Sequence, residues 1–341
     1  MPPYRNSSAS ARKAPQTATL GNFAESTWLG RTLRGFAAQD WLVFAYFVLM
    51  LSAVASSQGK NVDRVLQYLV AEMVTYVGGL LIVRGGILRE GAVLRNILYR
   101  VIMLCPIGAS YFQLREILPA VSQRVLDANI LDFDLRVFGF EPAVAWDWLV
   151  TPATTEWFAF FYFLYFAILI VHMIPMLFVS RDMVRLAHFS LGTLMIFTIG
   201  QLTYMVVPGY GPHHHLAGQF HNELSGGHFW QAVVGAVAAG GAQKDIFPSL
   251  HTALPTFFTL FSYMHRARAP FKYTWPVMAF ISSQIIVATM FLRWHYLIDI
   301  VAGVTLATFA AYSSYRITQR EIVKRREMDV DPIYSPIERG R

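Results

Sequence analysis

At 341 residues the chain is long enough for about two soluble domains, but 55% of it is apolar and only 14% is charged, against about 25% charged in an ordinary soluble domain. So few charges cannot cover a globule of this size, and a single cysteine, Cys105, cannot close an internal disulfide, which excludes a free cytosolic enzyme, a disordered chain and a disulfide-stapled secreted module. The formal charge of +7 then points either to an acidic partner or to membrane topology, and the positions of the basic residues decide between them.

In chain order, residues 1–36 read as a disordered cytoplasmic N-terminus, the first twenty-odd being rich in Ser and Ala. Eight apolar runs follow, at about 40–57, 65–83, 95–112, 157–179, 187–207, 248–265, 274–292 and 296–315. Most approach the ~20 helical residues that cross ~30 Å of hydrocarbon; the sixth is short and carries Pro255. The fold class is therefore all-α, a polytopic membrane helix bundle of about eight transmembrane helices. Residues 37–112 hold three accessory spans, 157–315 form a catalytic membrane domain, and 316–341 a basic cytoplasmic tail. With the N-terminus inside, twenty Lys and Arg fall on that side and seven opposite, with Arg100 within a span. Both termini are then cytoplasmic by the positive-inside rule, and the charge is an orientation signal. The basic residues follow loops and tails instead of forming a stripe, so no nucleic-acid partner is expected.

Two long segments lie on the external side. Residues 113–156 place Ile117, Leu118, Val121, Val125 and Leu126 at helical spacing, followed by Asp132, Asp134, Glu141, Trp146 and Trp148. They read as an interfacial amphipathic segment, or equally as a helix packed on the bundle. Residues 208–247 open with PGYGPHHH and contain a short apolar stretch, Phe229 to Ala239, suited to a lid or a lipid-chain lining. Glu72 and His172 lie inside spans and read as structural hydrogen-bonding groups; the Tyr- and Phe-rich run 157–166 reads as lipid-facing or core.

Chemistry concentrates at two clusters that a helical hairpin returns to one membrane face. Phe247-Pro248-Ser249-Leu250-His251 opens the sixth span, and Arg293-Trp294-His295-Tyr296-Leu297-Ile298-Asp299 opens the eighth. A helix beginning near His295 sets His295 and Asp299 at i and i+4, where the carboxylate fixes one imidazole nitrogen and leaves the other as a nucleophile. His251 is placed to protonate a leaving oxygen. Pro248 suits the first turn of a helix, whose free amides with the Ser249 hydroxyl cradle a phosphate oxygen. Two histidines, a carboxylate and an anion cradle fit phosphoryl transfer through a phosphohistidine, with no cofactor or metal required.

FPSLH and RWHYLIDIVAG resemble the second and third signatures of the type 2 phosphatidic acid phosphatase superfamily, with wording shared with its inositol phosphorylceramide synthase-like branch. The resemblance covers about 247–303 by motif and reaches back to about 150 by span order. It implies a six-helix-type phosphatase/phosphotransferase core, His295 as nucleophile, Asp299 as its orienting partner and His251 as general acid and base. Two features depart from the phosphatases. Their arginine six residues before the nucleophile is Thr289 here, and the Lys and Arg-Pro of their first signature are replaced by Tyr210, Pro212 and His213-His214-His215. Arg293, Lys244, Tyr210 and His213 are the candidates to hold phosphate instead, although on a continuous helix Arg293 points about 200° away from His295. The triple histidine is read as an ordinary polar loop or a head-group contact before a metal site.

The expected activity is transfer of a phosphoryl or head-group phosphate from a lipid phosphoester to an alcohol. A lipid phosphatase with water as acceptor is the alternative. A proton-coupled transporter or flippase using the same triad is a rival from another class; against it stand span-end positions and no inverted repeat. The partners are the bilayer, a lipid phosphoester and an alcohol or water. The active site is expected at the extracytoplasmic face, and oligomeric state is left open.

Overall fold

The structure, a computed structural model, describes residues 27–89, 91–240 and 244–337; the N-terminal segment expected to be disordered lies outside them as far as residue 26. Its last ten residues do not match that expectation. Trp28–Arg34 form a helix, α1, capped by the Thr27 hydroxyl on the Gly30 amide at 3.0 Å and pinned by Trp28 Nε1 donating to the Gly85 carbonyl at 2.8 Å.

The next helices are α2 (Ala38–Ala55), α3 (Val62–Arg84) and α4 (Val93–Val121). α4 runs nine residues beyond the expected end of the third span at 112, so Ile117, Leu118 and Val121 are its last turns and not an interfacial helix. The interfacial segment is shorter: α5 (Asp127–Val137), α6 (Pro142–Ala145) and one 3-10 turn at Asp147–Leu149. α7 (Pro152–Ile174) extends through a π turn to Val179, and α8 (Met183–Val206) returns. After α9 (Pro212–His215) and α10 (His228–Gly240) come α11 (Leu250–Met264), α12 (Phe271–Phe291) and α13 (Leu297–Glu327).

All eight apolar runs are helical. Among the described residues seven helices are long and apolar enough to cross a membrane: α2, α3, α4, the Pro152–Val179 unit, α8, α12 and α13. The eighth, α11, has 15 residues, roughly 22 Å at 1.5 Å per residue, less than a ~30 Å hydrocarbon core. It packs against α7, α8, α12 and α13 and buries Leu254, Phe257, Phe258 and Phe261. Four neighbouring helices therefore enclose it.

α8 is the axis of the bundle: 72% of its most apolar window is buried, against 22–44% for the other six spans. α11 and α13 meet where Gly303 lets the backbones touch; a Cβ there would lie 2.7 Å from the Ser249 carbonyl. This contact sets the start of α11 beside the start of α13. At the far end α13 passes residue 315 and continues to Glu327, after which residues 328–337 fold back onto the bundle and bury Ile333 and Tyr334.

Candidate active site

The start of α13 is held by three carboxylates. Asp299, in the first turn, accepts the Tyr296 amide at 2.9 Å, the capping interaction that ends the non-helical stretch before it. Asp134, from α5, accepts the amides of Leu297 (2.7 Å) and Ile298 (3.1 Å). One α5 face, two turns earlier, presents Asp127, which accepts the Tyr210 and Gly211 amides at 2.9 and 2.7 Å and the Tyr296 hydroxyl at 3.1 Å. Gly211 takes φ +90°, and a Cβ there would lie 2.4 Å from the Trp294 carbonyl, so the PGYGP turn closes against the connection that bears His295. The amides of Tyr296, Leu297 and Ile298 are thus occupied.

His295 lies in that connection, before the helix starts. Its Nδ1 is 3.3 Å from Asp299 Oδ2, and the residue is 4% exposed. Asp299 Oδ1 is buried without a hydrogen-bond partner. Burial pushes His295 down to about 4, against the opposing charge of Asp245 and the Ile246 backbone. The imidazole is therefore neutral at pH 7, with Nδ1 turned to the carboxylate and Nε2 as the remaining nitrogen. Asp245, set beside Gly209 by a single parallel bridge, is itself raised by burial.

His251 stands across from it, with ring centroids 6.3 Å apart. Tyr162 stacks on the His251 ring at 4.5 Å and 18°, and Tyr165 lies at 4.2 Å. These two α7 rings fix the imidazole plane, and its Nε2 is buried with no hydrogen-bond partner. A buried imidazole nitrogen without a partner is uncommon in a native fold. Ser249 caps α11 by accepting the Thr252 amide at 3.3 Å, and its own amide donates to the Asp299 carbonyl at 3.1 Å. The next amides, of Leu250 and His251, have no acceptor among the described residues. They leave an anion-binding helix N-terminus beside both histidines. Pro248 precedes the cap and is not in the first turn as the sequence suggested.

The structure brings His251, His295, Asp299 and Ser249 together but redirects the expected phosphate clamp. Arg293 adopts φ +67° in a connection that is not helical, so its direction does not follow from helical spacing. Its guanidinium donates to Asp147 Oδ1 at 2.8 Å and the Asn222 carbonyl at 2.6 Å, over the Phe220 ring at 3.8 Å. A guanidinium bound to a buried carboxylate, with 8% exposure on each side, is a brace between external segments and not a free phosphate ligand. Lys244 lies over the Tyr210 ring at 5.5 Å and 3.5 Å from the Arg124 carbonyl, and Tyr210 stacks on His214 at 4.5 Å. His213 packs on Trp294 at 4.5 Å, and its amide donates to the Arg293 carbonyl at 2.8 Å. Among the described residues these three make no hydrogen bond or ring contact with His251 or His295. Thr289, at the arginine position of the phosphatases, is buried and bonds the Ile286 carbonyl at 2.8 Å.

Glu72 accepts from Gln113 at 2.7 Å, and His172 bonds the Ile168 carbonyl at 2.9 Å. Tyr162 and Tyr165, read from sequence as lipid-facing or core, turn out to hold His251. Asp127, Asp147 and Asp245 carry the scaffold without having been singled out; only the seven-residue spacing of Asp127 and Asp134, one face of a helix, offered a signal.

A family model described as PAP2 superfamily matches residues 128–313, from α5 through the apolar part of α13. Neither a curated protein nor a solved structure gives a significant match to the chain.

Proposed function

The chain belongs to the PAP2 superfamily, and from that premise we propose that it transfers a phosphoryl or head-group phosphate from a lipid phosphoester to an alcohol acceptor, in the manner of inositol phosphorylceramide synthases. The observation that carries this reading is the facing pair: His295, oriented through Nδ1 by Asp299, and His251, with a buried Nε2 awaiting a partner, 6.3 Å away. In the first step the His295 Nε2 lone pair attacks phosphorus, the bond from phosphorus to the leaving oxygen breaks, and His251 as imidazolium gives that oxygen its proton. In the second step the acceptor hydroxyl attacks phosphorus, His251 takes its proton, and the phosphorus–nitrogen bond breaks to return His295. The amides of Leu250 and His251 with the Ser249 hydroxyl stabilise the charge on the non-bridging oxygens. The cation-poor site favours a donor with one negative phosphate charge over a dianionic monoester, which supports transfer between diesters. Positive-inside topology puts the histidines on the extracytoplasmic side and both termini in the cytoplasm.

The test is product analysis of purified protein incubated with phospholipids and isoprenoid phosphates, with and without ceramide or polyol acceptors. A new phosphodiester that needs the acceptor is expected, together with a 32P-labelled enzyme intermediate that is acid-labile, base-stable and absent from His295→Ala. Release of free phosphate alone, whatever acceptor is supplied, would replace transfer with hydrolysis. A fully active His295→Ala protein would remove the phosphohistidine mechanism.

A further inference from the structure

The end of the bundle away from the histidines carries a concave site. A cleft of about 540 Å3 lies between α1, the start of α2 and the far part of α13, within the ~300–1,000 Å3 typical of ligand sites. Ile317, Arg320, Lys324 and Met328 line one of its walls at spacings of three and four, a single face of α13. Leu33 and Trp41 stand on the apolar wall opposite.

Other charges in the cleft are already matched. Glu321 accepts from Arg325 Nε at 2.8 Å and from the Ala38 amide at 3.1 Å, and Arg325 also donates to the carbonyls of Asp331 and Gly35. Arg320 and Lys324 are exposed and make no side-chain hydrogen bond or ion pair among the described residues. Asp299 and Arg320 are joined by continuous helix, roughly 32 Å at 1.5 Å per residue, about the thickness of a hydrocarbon core. The two cations therefore sit at the head-group level of the opposite leaflet. Trp28 and Trp41, each 46% exposed, lie on the same end, where interfacial tryptophans are expected.

We propose that this cleft binds one anionic phospholipid of the leaflet opposite the histidines, its phosphate on Arg320 and Lys324 and its chain along Leu33, Trp41 and Ile317. Charge and depth select this occupant. A neutral lipid leaves both cations unmatched, and a small soluble anion leaves the apolar wall in water. Residues 1–26, with Arg5, Arg12 and Lys13 against Glu25, bring like charge to a basic wall. The site does not depend on the reaction at the histidines.

The experiment is native mass spectrometry of the full chain released from phosphatidylcholine nanodiscs that contain a minor fraction of phosphatidylglycerol. The expected result is retention of phosphatidylglycerol over phosphatidylcholine by the parent protein and by His295→Ala. Loss of that preference by roughly tenfold or more is expected in Arg320→Gln/Lys324→Gln, about fivefold for each cation near a membrane surface. Both positions are exposed, and an unchanged melting temperature confirms that the variant is folded. Equal retention by a folded double variant overturns the proposal, as does loss in His295→Ala, which would assign the lipid to the catalytic face. Displacement by inorganic phosphate alone overturns the lipid occupant, and phosphatidylglycerol retention only after deletion of residues 2–26 shows that the N-terminal segment fills the cleft instead.

Discussion

The two ends of the bundle use buried charge in opposite ways. At the histidine end carboxylates hold amides: Asp127 and Asp134 gather the backbone of the PGYGP turn and of α13, and Asp147 takes the His221 and Asn222 amides besides Arg293. At the far end arginines hold carbonyls: Arg95 reaches Val83, Arg100 reaches Leu177 and Ser335, and Arg325 reaches Gly35 and Asp331. The buried ionic cluster at the far end is also matched. Asp40 is matched by Arg84 at 3.0 Å, Tyr99 at 2.6 Å and the Ala37 amide at 2.7 Å. The histidine end keeps buried, unpartnered atoms on His251, Arg293, Asp299 and Glu141. The unpartnered atoms at the histidine end are the ones that the proposed substrate would satisfy.

The sharpest way to break this contrast is to remove an unpartnered group. His251→Ala is expected to lower turnover by about 10²–10⁴-fold, the range of a positioned general acid, while the melting temperature is held or raised because a buried group without a partner is lost. A turnover within tenfold of the parent, measured on folded protein, would refute the assignment of His251.

The next effect separates stability from turnover. Asp147→Ala leaves the Arg293 guanidinium uncompensated, and Asp40→Ala does the same to Arg84; both pairs are buried. Each change should cost about 3–5 kcal/mol of folding stability. Asp40→Ala should leave kcat of the folded fraction unchanged, whereas Asp147→Ala should also lower it, since Arg293 lies two residues from His295. Chemical denaturation in detergent and turnover normalised to folded protein read the two quantities. Equal kcat in both variants would make Asp147 a structural brace only.

A smaller effect follows from pH. His295 titrates at about 4 in the fold against 6.5 as its ordinary value. As pH falls through 6.5 the unfolded chain gains this proton and the folded one does not, so stability present above 6.5 is lost progressively toward 4. The shift corresponds to roughly 3 kcal/mol at most. His295→Gln should flatten the melting temperature between pH 6.5 and 4 relative to the parent, and an unaltered slope would mean that His295 is not buried in neutral form.

Much of the histidine end was legible in the sequence because its key contacts are local. His295 and Asp299 are four apart, and the cap that joins them obeys the same spacing whether or not helix precedes it. The rest was not legible because its partners are remote. Arg293 finds Asp147 across 146 residues, and Asp134 finds Leu297 across 163. Periodicity reports which face of a helix is apolar; it carries no signal for which distant amide a carboxylate will cap. Helix ends were misjudged for a related reason. The third apolar run ends at 112, yet Gln113 donates to Glu72 on α3 at 2.7 Å and Glu116 pairs with Arg64 at 3.5 Å, so these side chains find partners along a continuing α4. Arg316 looked like the end of the eighth span, but a helix may leave the membrane without stopping.

The smallest expected effect tests a hydrogen-bond network at the far end. Tyr334 lies 2% exposed in the segment after α13, where its hydroxyl meets Ser190 Oγ at 2.6 Å and accepts from Gln39 Nε2 at 3.0 Å. Tyr334→Phe keeps the ring and its packing on Tyr99, at 5.0 Å between centroids, and deletes only the hydroxyl. Gln39 retains a bond to Tyr99 at 2.7 Å, while the buried Ser190 hydroxyl loses its side-chain partner. A loss of about 1–2 kcal/mol is expected, with turnover unchanged. If turnover falls instead, the tail and the histidines communicate along α8, which carries Ser190 and runs the length of the bundle between the two ends. The contrast between the two ends would then give way to a single coupled network.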